Sequence, residues 1–103
     1  LNDQARAAGP RPDDAVLWLT TPGVNQLGPV AVAAAIQRVR AFAEFDRGND
    51  PHGEHDFGSF DFQGERLFWK IDYYDRSLQS GSPDPTNEAV TCRVITIMLA
   101  LEY

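Results

Sequence analysis

The stretch Asn49-Asp50-Pro51-His52-Gly53-Glu54-His55-Asp56-Phe57-Gly58 holds both histidines of the chain and three carboxylates. Such a density of nitrogen and oxygen donors suits several chemistries. His52, His55 and Glu54 form a candidate ligand set for one divalent transition metal, with Asp56 or Asp72 as further oxygen donors. The spacing H-G-E-H differs from H-E-x-x-H, whose histidines need one face of a helix, and a Pro-Gly loop is not a helix. Without a metal, His55 oriented by Asp72, with Lys70 as electrostatic helper, could do general acid–base work. The same residues also fit a polar turn in which Pro51 and Gly53 bend the chain and Asn49 or Asp50 bonds backbone amides. Recognition of a partner would use Asp50, His52, Glu54 and Asp56, with Trp69 and Tyr74 as nearby aromatic contacts.

These residues must be positioned by the elements around them. The runs "HDFGSFDF" and "ERLFWKIDYYD" read as strands joined at Gln63-Gly64, a two-residue hairpin loop. That register sets Asp61 opposite Arg66, Phe60 opposite Leu67, Gly58 opposite Trp69 and Phe57 opposite Lys70. Continued into the loop, it sets His55 opposite Asp72, so that His55, Asp72 and Lys70 would share one polar face. Leu67, Trp69, Ile71 and Tyr73 form the apolar face. "AVLWLT" (15–20) reads as a buried strand. Residues 27–45 read as a helix with Pro29 in its first turn and a stripe of Val32, Ile36, Val39 and Ala43, widened by Phe42. The C-terminal run reads as a second helix, with Val90, Val94, Ile97, Met98 and Leu101 on one stripe and Asp84 or Thr86 as its cap. Residues 1–8 suggest a short helix ended by Gly9, Pro10 and Pro12. The order α-β-α-β-β-α predicts an α+β fold: one two-layer domain over residues 1–103, with a small, mostly antiparallel sheet packed by two main helices. Residues 1–12 would be a peripheral helix and linker. The 79–87 turn is long, and its sequence does not fix whether it moves.

The totals exclude several classes of function. A chain of 103 residues with 43% hydrophobic and 23% charged residues suits a single folded domain. The net charge of −6 disfavours direct contact with nucleic acid phosphates, which needs a Lys/Arg footprint. It fits a solvated surface or a basic groove on another protein. The lone cysteine, Cys92, rules out a disulfide framework and a cysteine-based zinc finger. A buried thiol and a reducing cytoplasm are the expectation. No signal peptide is visible, and no apolar run approaches the ~20 residues of a membrane span. There is no phosphate-cradling glycine loop and no G-x-S-x-G elbow. The expected state is a cytoplasmic monomer or small homo-oligomer with no cofactor, the single metal above being the alternative.

"NDPHGEHDFG", "FWKIDYYD", "GSPDP", "TIML" and the terminal "EY" together resemble an uncharacterised bacterial family of small domains of unknown function, over about Val16 to Tyr103. The resemblance implies that the loop and the hairpin matter together, through His52, Glu54, His55 and Asp56 and through Trp69-Lys70-Ile71-Asp72. It implies no activity. Such domains look like cargo of mobile elements, which implies a regulatory or counter-defence role. Two functions are compatible with these residues. One is an acidic binding or regulatory module acting on another protein, such as a nucleic-acid-handling one. The other is a metal-dependent or His/Asp acid–base hydrolase using residues 49–58. Small size and the lack of a recognisable catalytic constellation favour the first.

Overall fold

The computed structural model describes residues 1–10, 15–46, 48, 50 and 53–103. Pro12, Asn49, Pro51 and His52, each named in the sequence reading, lie outside the described residues.

The hairpin takes the predicted register. Strands β2 (Phe57–Phe62) and β3 (Glu65–Tyr74) pair antiparallel, with Phe57 opposite Lys70, Gly58 opposite Trp69, Phe60 opposite Leu67 and Asp61 opposite Arg66. Gln63 and Gly64 both have positive φ, 52° and 81°. A two-residue loop of that geometry twists in the same sense as the strands it joins. The Trp69 indole lies against the backbone of residue 58, where a Cβ would overlap its Nε1. Only glycine fits there.

The predicted C-terminal helix is instead a strand, β4 (Cys92–Leu99), flanked by short 3₁₀ turns at Glu88–Val90 and Ala100–Glu102. The physical reason is its place in the sheet. The strand order is β1-β4-β3-β2, where β1 is Val16–Thr20. As a central strand, β4 is covered on both faces and needs apolar residues at nearly every position. A continuous apolar run also satisfies a helical stripe, so periodicity alone cannot separate the two. The β-branched content of Val94, Ile95, Thr96 and Ile97 agrees with the strand. Asn87, rather than Asp84 or Thr86, caps the 3₁₀ turn at Glu88–Val90: its side chain accepts from the Ala89 amide. Asp84 instead accepts from the amide and hydroxyl of Thr86. Cys92 is buried, as expected, but on this strand.

β1 runs parallel to β4, from Val16 opposite Arg93 to Thr20 opposite Ile97, while β3 runs antiparallel to β4. β1 is an edge strand and only half-buried, with Leu19 exposed, so its apolar residues do not mark burial on both faces. The sheet is thus mostly antiparallel, with helices packed on it, and the fold is α+β.

One face of the sheet carries the core. Leu67, Trp69, Ile71, Ile95 and Ile97 meet the helices α1 (Asn2–Ala8), α2 (Pro22–Asn25) and α3 (Pro29–Arg40) through Ala5, Val24, Ala31, Ala35 and Val39. Each fully buried large aliphatic side chain contributes about 1.5–3 kcal/mol. α3 starts at Pro29, after Gly28 with φ 99°, and its buried stripe centres on Ala31, Ala35 and Val39; Val32 and Ile36 lie at its margin. Small residues at the centre let the helix lie close to the sheet. α3 ends at Arg40, and Phe42 then turns into the core beside Trp69, ring centroids 5.5 Å apart. The opposite face carries Phe57 and Phe68, both packed edge-on against Tyr103, and an ion pair between Lys70 and Asp72 at 3.1 Å.

Candidate binding cleft

The loop that precedes β2 is held by Asp50. This carboxylate is buried, and it accepts from the backbone amides of Glu54 (3.0 Å) and His55 (3.2 Å). The polar-turn role expected for Asp50 is therefore met by a carboxylate that is buried rather than presented to solvent. His55 comes next with φ 54°, which turns its side chain away from the strand register. The extension of the hairpin pairing to His55 and Asp72 fails for this reason. The ladder stops at Phe57, although the Asp56 carbonyl still accepts from the Ile71 amide.

The imidazole of His55 goes to the helix side of the sheet. It stacks on Phe45 with centroids 3.9 Å apart and planes 3° off parallel. Its Nδ1 donates to Asp3 at 2.9 Å, and its Nε2 stands 3.5 Å from Asp50. Lys70 and Asp72 pair with each other on the opposite face, so the triad of His55, Asp72 and Lys70 does not assemble. The hydrogen bond from His55, together with Arg6 at 2.6 Å, holds the Asp3 carboxyl below its ordinary range, against a smaller opposing effect of burial.

α1 is fastened across this site by polar contacts. Arg6 is buried, donates to the carbonyls of Val39 and Phe42, and lies 4.8 Å over the Trp69 ring. Asn2 is the junction. Its amide donates to the Glu54 carbonyl (2.9 Å) and meets the Tyr73 hydroxyl (2.7 Å), and its oxygen accepts from Arg93 Nε (2.8 Å). Between α1, residues 53–55 and the ends of β3 and β4 opens a cleft of ≈ 540 Å³. Asn2, Asp3, Glu54, His55, Tyr73 and Arg93 line it, and Pro85 and Thr86 close one side. Burial, with the charges of Asp56 and Glu54 nearby, raises the Tyr73 hydroxyl above its usual range. Asp56 is also raised, first by burial and then by the neighbouring carboxylate of Glu54.

The other predicted site residues fall elsewhere. Trp69 is fully buried in the core and offers no surface to a partner. Tyr74 is 37% exposed at the end of β3, outside the cleft lining. His52 lies outside the described residues, so the metal set that includes it is incomplete among them. Among the described residues, no three His, Cys, Asp or Glu side chains gather as a metal site. No helix among them is long and apolar enough to cross a membrane.

The profile of one family, DUF3768, a set of proteins of unknown function, matches residues 20–102. The chain belongs to the DUF3768 family. No curated protein and no solved structure matches it. The matched span of DUF3768 covers β2, β3, β4 and the loop, but it starts after α1. Asn2 and Asp3, which complete the cleft of this DUF3768 chain, thus precede the matched residues. Sequence reasoning missed both, since nothing local links them to residues some fifty positions on. It also missed Arg93, although a lone cation inside the apolar run "TCRVITIML" was a visible signal: a charge at a buried strand position needs an explanation.

Proposed function

We propose that this DUF3768 chain is a binding module that docks a basic segment of another protein at the cleft beside α1. The observation that carries this reading is the crowding of carboxylates at an open cleft. Asp3 and Glu54 line it, and Asp56, two residues on from Glu54, has its proton held more tightly than usual, first by burial and then by the Glu54 charge. A lysine or arginine entering from a partner would relieve that repulsion. The net charge of −6 adds long-range attraction for a basic surface, such as the groove of a nucleic-acid-handling protein. Acid–base chemistry at His55 has less support, because Nδ1 is taken by Asp3 and Nε2 faces Asp50.

The test is a titration followed by ¹⁵N-correlation NMR with a blocked lysine-rich pentapeptide. Saturable shifts at residues 53–56, Asn2 and Tyr73 are expected. They should weaken in the double variant Glu54→Gln, Asp56→Asn and fade with added salt. Shifts scattered over the surface, or equal binding by the double variant, would remove the proposal.

A further inference from the structure

Arg6 and Arg93 are the buried arginines among the described residues, and they are neutralised differently. Arg6 is 3% exposed and meets the Asp3 carboxylate at 2.6 Å. Arg93 is 6% exposed, but among the described residues no carboxylate stands within ion-pair reach of it. Its contacts are neutral: Nε donates to Asn2, Nη2 donates to the Pro85 carbonyl, and its Cζ lies 5.4 Å from the Tyr73 ring centre. A guanidinium has five N–H donors in a fixed fork, and these two bonds occupy two of them. A buried cation is costly unless paired, and a carboxylate matched to the fork is its best partner.

Arg93 is not sealed in the core. It lines the ≈ 540 Å³ cleft and also a smaller cavity of ≈ 140 Å³ beside Glu88 and Thr91. We infer that the Arg93 guanidinium is the anchor of an anion subsite at the base of the cleft, and that it takes a carboxylate from the bound segment. A monoanion fits better than a phosphate, because Asp3 and Glu54 line the same cleft and would repel a dianion more strongly. This inference rests on the docking reading and sharpens it: the partner segment carries an acidic residue or a C-terminal carboxylate flanked by lysines or arginines. The flanking cations meet Asp3 and Glu54 while the carboxylate meets Arg93.

The two readings can fail separately in one set of titrations on the wild-type chain, read at the Arg93 Nε–H signal and the Asn2 side-chain amide. The probes are sodium acetate, inorganic phosphate, and blocked peptides Lys-Lys-Glu-Lys-Lys and Lys-Lys-Gln-Lys-Lys. Acetate should move both signals saturably, and the Glu peptide should bind roughly tenfold tighter than the Gln peptide, the size expected of one charge-assisted hydrogen-bonded pair. Equal binding of the two peptides, with the Arg93 signal unmoved by acetate, would overturn the subsite and leave the docking reading standing. Binding of neither peptide would overturn the docking reading, and the acetate response alone would then decide the subsite. A larger response to phosphate than to acetate at equal concentration would overturn the assignment to a carboxylate. The use of wild-type protein keeps the result independent of whether an Arg93 variant folds.

Discussion

At the scale of single residues, the site is a set of carboxylates with unequal partners. Asp3 is held down by His55 and Arg6, whereas Asp56 is pushed up by burial and by Glu54. The two therefore act on stability with opposite sign. Asp3 contributes stability above the ordinary aspartate range and loses it as the pH falls through its depressed value. Asp56 binds its proton more tightly folded than unfolded, so its contribution declines as the pH rises from the ordinary aspartate range through its raised value. Asp56→Asn removes that penalty. It should raise Tm at pH 7 by a few degrees, with the gain shrinking as the pH falls through the raised value and gone below the ordinary aspartate range. Thermal melts of both proteins at several pH values would check this, and a variant that melts lower than the wild type at pH 7 would contradict it.

At the scale of elements, the hairpin and the last strand differ in how their sequences encode them. In the hairpin, each local choice points the same way. Gln63-Gly64 accepts positive φ, Asp61 meets Arg66 at 2.9 Å, and Trp69 lies over Gly58. Gly58→Ala should accordingly cost about 1–3 kcal/mol, since the new methyl group overlaps the Trp69 indole and meets the Phe42 ring at 2.8 Å. A urea midpoint equal to that of the wild type would show that the ring can move aside. That agreement of local signals is why the hairpin register was legible residue by residue. β4 was not legible, because a strand buried on both faces has no alternation to read, and its apolar residues also fall on a helical stripe. The cleft was half legible. The loop announced itself through its histidines and acids, but the partners it finds are Asn2 and Asp3 of α1 and the ring of Phe45. Strand register extends in straight lines and so points His55 at Asp72, but the left-handed backbone of His55 itself ends that line.

At the scale of the whole molecule, the sheet depends on its last strand. β4 lies between β1 and β3 and pairs with both, so without it β1 has no neighbouring strand among the described residues. A chain ending at Val90 should show no cooperative thermal transition, whereas the chain through Tyr103 should melt in one step; circular dichroism distinguishes the two. A sharp melt of the shortened chain would mean that the hairpin and α3 suffice. The parallel pairing of β1 with β4 also matters during synthesis. The ribosome makes Val16–Thr20 before every other strand of the sheet and Cys92–Leu99 after them. At about 5–20 residues per second, the apolar edge "VLWLT" waits several seconds for its partner. In that interval the nascent chain presents an unpaired strand to any chaperone, or to any other growing chain, within reach.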